Sequence, residues 1–379
     1  MNPDKTRQCL RRSDDLHARV QNWISHDASS REPFEPLALD IAKFQADFIP
    51  GYARLVQARG GRLDEVDQLP AVPTDAFRLS RIAVHGADAD QVRYATSGTT
   101  SGHRGIHAMR RTDTYRASAV TWARQALLPA AASSAAVVAL LPEGASNTSS
   151  LAAMAQMFMD EFEPSDKKGP SATSRVNPWL MNDQHGVAAA LEEHMQRAKS
   201  LGVPLLVVAT ALALTHLLGT LGHQTLDIWP NTIVMPTGGF KGRSHEISLL
   251  ELRSHVARAL GIASDQVVGE YGMTELSSQL YEAGLLHPGS SAPPGVYYPP
   301  PWMKVAAVDA TTLKPVEPGM SGLARFIDLA NVDSALCIVT QDIVRPLGDG
   351  FELLGRQVGA PSRGCSLSTE EWLSAHADT

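Results

Sequence analysis

Val267-Val268-Gly269-Glu270-Tyr271-Gly272-Met273-Thr274-Glu275 is the stretch from which the fold is read. Two β-branched residues predict a short buried strand. The glycines, hydroxyl and carboxylates behind them predict an exit that presents polar groups at the strand's carboxyl end. Upstream the chain alternates: 187–201 reads as a helix, 204–209 as a strand, 211–221 as a helix, 232–235 as a strand, and 244–260 as a helix capped by Ser244. Such alternation predicts an α/β fold of mostly parallel sheet flanked by helices. Ligands of that architecture gather beyond the carboxyl ends of the strands, which singles out three exits: 96–102, 236–241 and 270–275.

The first exit reads Thr96-Ser97-Gly98-Thr99-Thr100-Ser101-Gly102, followed by His103-Arg104-Gly105. Glycine lets backbone N–H groups turn toward an anion, and short hydroxyl side chains donate to phosphate oxygens with little rotamer entropy to lose. The spacing is not that of a Walker A loop, because Gly102 follows Gly98 one residue early and no lysine comes next. Thr100 between the glycines excludes a G-x-S-x-G nucleophile elbow. Composition alone favours a plain surface loop for such a run.

The bulk properties narrow the classes. A chain of 379 residues, 44% hydrophobic and 19% charged, suffices for one large α/β unit or two domains and excludes general disorder. A net charge of −7 argues against a nucleic-acid reader. Cys9, Cys337 and Cys365 lie far apart without a C-x-x-C pair, so neither a disulfide framework nor a zinc site is indicated, and a reducing cytoplasm is expected. The charged amino terminus carries no signal core. The most apolar stretch, 201–221, is interrupted by Gly202, Pro204, His216 and Gly219, so no membrane span is predicted.

Residues 1–90 read as a helical amino-terminal part of the large domain, with Leu37, Ile41, Phe44 and Phe48 at helical spacing, a second helix ending at Gly60-Gly61, and a short strand over 81–84. Thr112 is placed to cap a helix toward Pro129, 135–141 has the length of a buried strand, and 150–162 reads as a helix. Its Met154, Met157 and Met159 suit core filling or an adaptable pocket. A surface loop is expected over 164–178. The core is expected over 91–345. From about 295 the runs 303–308, 322–327 and 335–340, with turns at Pro318-Gly319 and Gly348-Asp349-Gly350, predict a small antiparallel or barrel-like region. Residues 346–379 are expected to form a short tail.

Taken together, Thr96 to Gly102, Gly238-Gly239, Tyr271-Gly272-Met273-Thr274-Glu275, and Thr340-Gln341-Asp342 followed by Gly355-Arg356 stand in an order that resembles the adenylate-forming enzymes. Within them, Glu270 to Glu275, the Gly-Gly-Phe-Lys segment and the short carboxyl terminus resemble the acyl-protein synthetase family of the LuxE type, the fatty-acid-activating component of bacterial luminescence systems. The resemblance runs from about Ala71 to the end. It implies the large-domain fold of those enzymes, a β-barrel-like region and a much shortened carboxyl-terminal domain.

The resemblance also implies roles. Thr96, Ser97, Gly98, Thr99, Thr100, Ser101 and Gly102 hold the β- and γ-phosphates of ATP, and Arg104 supplies positive charge near where relatives carry a lysine. Gly238 and Gly239 admit the adenine, Tyr271 stacks on it beside Gly272, Thr274 meets the α-phosphate and Glu275 holds Mg²⁺. Asp342 accepts from the ribose hydroxyls, with Arg356 as a second nucleotide contact. Blander roles exist for each: a helix-start carboxylate for Glu275, a turn for Gly238-Gly239, and a surface ion pair worth under about 1 kcal/mol for Asp342 and Arg356. Lys241 is read as an exposed lysine or a phosphate contact.

The larger adenylating enzymes bring a lysine from a mobile carboxyl-terminal domain, yet no lysine follows Lys314 here. In the LuxE-type family a cysteine near the carboxyl terminus accepts the acyl group. Cys365, beside Arg363, stands where such a thiolate is expected. The implied substrate is a small-molecule carboxylic acid of apolar character, with 209–218 and the Met-rich helix lining its pocket and His216 either in that pocket or in the core. The implied partner is an acyl-accepting reductase or carrier protein. Two alternatives stay open: direct transfer to CoA, an amine or a carrier, and a non-catalytic nucleotide-binding subunit.

Overall fold

Apolar periodicity becomes packing in two compact units. The computed structural model describes residues 2–96, 104–164, 177–182, 186–222, 224–226, 229–238, 248–286 and 293–357. In chain order the helices are α1 (Pro3–Ser25), α2 (Phe34–Phe48), α3 (Pro50–Ala58), α4 (Ala76–Leu79), α5 (Asp113–Leu127), α6 (Ser150–Phe162), α7 (Val187–Leu201), α8 (Ala211–Leu221) and α9 (Leu249–Leu260). The strands are β1 (Val72–Pro73), β2 (Val92–Ala95), β3 (Ile106–Met109), β4 (Ala136–Leu140), β5 (Leu205–Thr210), β6 (Thr232–Thr237), β7 (Glu270–Tyr271), β8 (Leu280–Glu282), β9 (Val296–Tyr298), β10 (Met303–Val308), β11 (Gly322–Asp328), β12 (Cys337–Leu347) and β13 (Gly350–Arg356).

The first compact unit takes Met1–Ala119, Met273–Gln279 and Tyr298–Thr379. Its sheet is an antiparallel meander from β10 to β13, with β1 laid parallel on β12. The β11–β12 register is broken. Leu323 faces Ile343 and Arg325 faces Val339, so Thr340, Gln341 and Asp342 stand opposite Ala324 alone. Such a bulge bends the strand and re-aims its side chains.

Helices supply the apolar cover of this unit, and Leu37, Ile41 and Phe44 of α2 are fully buried. Polar groups fix their position. The Gln45 amide donates to the carbonyls of Asn331 (2.7 Å) and Val332 (3.0 Å), while its oxygen accepts from Leu336 N (2.9 Å). On α1, Ser13 Oγ donates to Asp333 Oδ1 at 2.5 Å and His17 Nε2 lies 3.2 Å from Asp333 Oδ2. Burial works to raise the Asp333 carboxyl, but His17, Ser13 and Arg110 outweigh it and hold the group down at about 2.

The second unit takes Val120–Gly272 and Leu280–Tyr297. Strands β4, β5, β6 and β7 run parallel, and β8 joins β7 antiparallel. Every residue of Ala136–Leu140 is buried, as is 205–209, which is why these segments read as unbroken apolar runs rather than alternating ones. One core cluster gathers Leu191 and Met195 of α7, Leu214 and Leu217 of α8, and Leu252 and Val256 of α9.

Several boundaries differ from the sequence reading. No strand forms over 81–84. Ile82 and Val84 are buried there, and their backbones bond to the 333–334 turn instead, Val84 N to Asp333 O and Ser334 Oγ to Ile82 O. Helix α9 starts at Leu249, because Ser248 and Glu251 form a reciprocal capping box; Ser244 lies outside the described residues. Val267 makes only an isolated bridge to Val234, and the ladder pairing falls on Glu270 and Tyr271. Strand β12 starts at Cys337 and runs on to Leu347. Met154, Met157 and Met159 are buried, Ala209, Ala211, Ala213, Leu214 and Leu217 of the 209–218 segment join the core cluster, and Leu212 and His216 are exposed on α8.

A Cβ on Gly322 would sit 2.5 Å from Val308 O and 2.8 Å from Val308 N, backbone atoms that yield only by parting β10 from β11. Gly322→Ala is therefore expected to lower stability by about 1–3 kcal/mol. In urea titration the midpoint should fall with an unchanged slope; an unmoved midpoint contradicts the clash.

Candidate active site

In the first unit a two-stranded ribbon flanks the Ser/Thr/Gly exit in sequence. Strands β2 and β3 pair with Tyr94 opposite His107. Beyond them Thr96 N donates to Gly105 O at 2.9 Å and Gly105 N donates to Thr96 Oγ1 at 2.9 Å, which closes the segment at its base. The closure is crowded, since a Cβ on Gly105 would lie 3.0 Å from Thr96 Cγ2 and 3.3 Å from the Phe77 and Arg78 side chains, which would have to give by a few tenths of an ångström. Arg104 is exposed. Ser97, Gly98, Thr99, Thr100, Ser101 and Gly102 lie outside the described residues.

His107 connects this ribbon to the motif at Thr274. Its Nδ1 stands 2.7 Å from the Thr274 carbonyl, and since a carbonyl only accepts, Nδ1 carries the proton. The imidazole packs edge-on to Phe77 at 5.9 Å. Burial pushes it down to about 4, more than the hydrogen bond raises it, so the ring is neutral at neutral pH.

Residues after Thr274 are held from the turn beyond β11. Asn331 Nδ2 donates to Glu275 O at 2.9 Å and its Oδ1 accepts from Ser277 Oγ at 2.6 Å. Asp328 accepts from Ser277 N (3.0 Å), Ser278 Oγ (2.7 Å) and Ala330 N (3.0 Å). Burial pushes the Asp328 carboxyl up to about 6 even against these donors. The Glu275 side chain is buried and Thr274 is half-buried. Among the described residues no three His, Cys, Asp or Glu side chains converge as a metal site. A single carboxylate such as Glu275 suits Mg²⁺ that takes its remaining oxygens from substrate phosphate and water.

Asp342 and Arg356 are direct cross-strand partners in β12 and β13. Asp342 leaves the β11 ladder through the bulge and its N–H donates to Thr340 Oγ1 at 3.0 Å. Its side chain is half-buried and that of Arg356 exposed.

In the second unit, β6 ends at Thr237-Gly238. Gly238 is exposed with φ +71°, and a Cβ there would meet no atom of the described residues within 4 Å. Thr237 faces Glu270 across the ladder and its hydroxyl donates to the Glu270 carboxyl. Burial pushes that carboxyl up to about 7, outweighing the hydrogen bond. The next residue, Tyr271, sets its ring 5.8 Å from that of Tyr297, and Gly272 is exposed. Glu282 accepts from the N–H groups of Gly269 and Gly295, both at 2.6 Å, and from the Arg253 guanidinium. Gly239, Lys241 and Cys365 lie outside the described residues.

The sequence reading did not single out His107, Asp328 or Asn331, which share no spacing with the motifs they support. Glu270 lay in the opening stretch, and the strand register is what turns it toward Thr237.

A family profile described as acyl-protein synthetase, LuxE, matches residues 61–374. The long-chain-fatty-acid–luciferin-component ligase of Vibrio harveyi is 34% identical over 87 residues, 21% of this chain and only 23% of that protein's length. Among solved structures, 2-hydroxyisobutyryl-CoA ligase in an open conformation, in complex with 2-HIB-AMP and CoA, superposes with a TM-score of 0.56 at 15% identity, covering 84% of this chain and 73% of that one. It carries the fold of the adenylate-forming enzymes. MatB from Rhodopseudomonas palustris with ATP bound gives a TM-score of 0.49 at 16% identity, covering 72% of this chain and 49% of that one.

Two substitutions test the buried groups, with opposite pH signatures. The pKa of folded His107 lies below its ordinary value, so its contribution to stability is complete above about 6.5 and fades as pH falls toward 4. His107→Leu also leaves the Thr274 carbonyl without its donor; it is expected to lose about 1–3 kcal/mol at pH 7.5 and visibly less at pH 5 by urea titration. Folded Glu270 lies above its ordinary value, so its contribution is present below about 4.5 and fades as pH rises through 7. Relative to wild type, Glu270→Gln should gain stability between pH 5 and pH 8. A pH-independent difference for either variant rejects the assigned ionisation.

Proposed function

Because the chain belongs to the acyl-protein synthetase family of the LuxE type, we propose that it uses ATP to activate a carboxylic acid and passes the acyl group to a thiol. The observation that carries this reading is the His107–Thr274 hydrogen bond, which ties the Thr96–Gly105 closure and the Thr274-Glu275 motif together within one compact unit. A phosphate-binding segment and an α-phosphate contact must keep a fixed separation if both are to act on one triphosphate.

In the proposed reaction a carboxylate oxygen attacks the α-phosphorus of ATP, the bond to the β-phosphate oxygen breaks, and pyrophosphate leaves. A thiolate then attacks the acyl carbon and AMP departs. Neither phosphoryl transfer nor acyl transfer from the mixed anhydride requires a general base of high pKa, so donors and positive charge carry the catalysis. Thr96 through Gly102 hold the outer phosphates, Arg104 adds charge and Thr274 donates to the α-phosphate. Gly238, Gly239, Tyr271 and Gly272 receive the adenine, and the Asp342–Arg356 pair receives the ribose. Glu275 would hold Mg²⁺, which would neutralise charge on the phosphates. His107, neutral at neutral pH, is a positioning residue for the Thr274 backbone.

The acid is an apolar one, for which support comes from the Vibrio harveyi relative, named for long-chain fatty acid. The acceptor thiol is Cys365, and the final recipient is a reductase or carrier protein.

Carboxylate-dependent ATP–pyrophosphate exchange tests the first half. Wild type should exchange with fatty acids, Thr274→Val should lose at least about 100-fold in kcat/KM, and Asp342→Ala should chiefly raise the KM for ATP. A flat response across acids of all lengths rejects the activity. Cys365→Ser tests the second half: exchange should persist while radiolabelled acyl-enzyme disappears. Unchanged labelling removes Cys365 from the reaction and points to direct transfer.

A further inference from the structure

The ladder between β6 and β7 holds one pair, Thr237 opposite Glu270, and β6 ends with it. The residue after each partner is one of those proposed for the adenine, Gly238 after Thr237 and Tyr271 after Glu270. Side chains join the two exits a second time, since the Thr237 hydroxyl donates to the Glu270 carboxyl. Both residues are buried. Other contacts of the β7 exit run to different elements: Glu270 and Tyr271 pair with Tyr281 and Leu280 of β8, Glu282 accepts from Gly269 N at 2.6 Å, and the Tyr297 ring of β9 lies 5.8 Å from that of Tyr271.

A carboxyl buried on one hydroxyl, its hydrogen-bond partner among the described residues, costs free energy that an apolar cross-strand pair of the same size would not. Packing therefore does not account for Glu270. A hydrogen bond between side chains fixes two strand ends in angle as well as distance, whereas apolar contact has no direction. Stacking on a base depends on such spacing, because a gap of about 0.5–1 Å forfeits about a quarter to a half of the dispersion attraction across it.

We propose that Glu270, through its bond to Thr237, is the positioning residue that holds the Gly238 and Tyr271 exits at the separation a purine needs, and so favours ATP over pyrimidine nucleotides. This role rests on the proposed contacts of Gly238 and Tyr271 with the adenine. Glu270 acts through those two residues and not on the nucleotide itself. Burial pushes its carboxyl up to about 7, so below that pH a glutamine, uncharged and of the same shape, is able to take its place.

Calorimetric titration of the full chain at pH 6 with MgATP and with MgCTP, no acid present, tests the role. Wild type should bind MgATP more tightly than MgCTP. Thr237→Val, nearly isosteric, and Glu270→Leu should each weaken MgATP about fivefold, the loss of one hydrogen bond, and narrow the preference over MgCTP, whereas Glu270→Gln should stay within about twofold of wild type for both. A loss of binding sites at unchanged affinity marks a purely structural pair and overturns the role. So does unchanged ATP affinity in folded Thr237→Val, a Glu270→Gln variant as weak as Glu270→Leu, or equal binding of the two nucleotides by wild type, and each of these leaves the nucleotide site standing. Absence of MgATP binding to wild type overturns both. If Glu270→Leu fails to fold, Thr237→Val decides.

Discussion

A carboxylate with no exposed surface, Asp328, is the fixed point of the first unit. The chain enters this unit at Met273 and leaves it at Gln279, seven residues that belong to no strand of its meander. No ladder holds this segment. It is held by side chains instead: Asp328 takes Ser277 N and Ser278 Oγ, Asn331 takes Glu275 O and Ser277 Oγ, and His107 takes Thr274 O. Ser278 and Ser118 in turn receive the Trp302 indole N–H. Such a network is stiff because every lost member leaves another polar group stranded out of water. The Thr274-Glu275 motif owes its position to it.

Two buried carboxylates of the second unit show how surroundings decide charge. Glu282 receives a guanidinium and two backbone N–H groups, the environment of an anion. Glu270, one strand away, has the Thr237 hydroxyl alone among the described residues, and burial pushes it up to about 7. The two carboxylates next to the 269–272 exit therefore sit in opposite surroundings, although both are glutamates on neighbouring strands.

Periodic features were legible in the sequence because one residue's environment repeats in the next. The unbroken apolar runs of β4 and β5 and the helical spacing of Leu37, Ile41 and Phe44 identify themselves. The capping box of α9 was equally available: Ser248 has Glu251 three residues on, whereas Ser244 has Ile247. The motif order gave the family and the fold, and the structure adds that Asp342 and Arg356 are paired across one ladder. The supports were not legible. His107, Asp328 and Asn331 act through contacts spanning 167, 50 and 56 positions respectively. Single residues at such distances leave no local pattern. Segment 81–84 misled for a related reason: it has the apolar character of a strand, but its backbone is satisfied by the 333–334 turn.

The latch between α1 and Asp333 bears on how members of this family can be cut and recombined. The family profile begins at residue 61, yet Ser13 and His17 of α1 serve Asp333, and Gln45 of α2 serves the backbone of Asn331, Val332 and Leu336. The recognisable unit of descent is thus shorter than the unit of folding. A chimera joined at residue 61 would pair one protein's amino-terminal helices with another's 328–336 turn, and the two must be exchanged together to keep the buried polar groups matched.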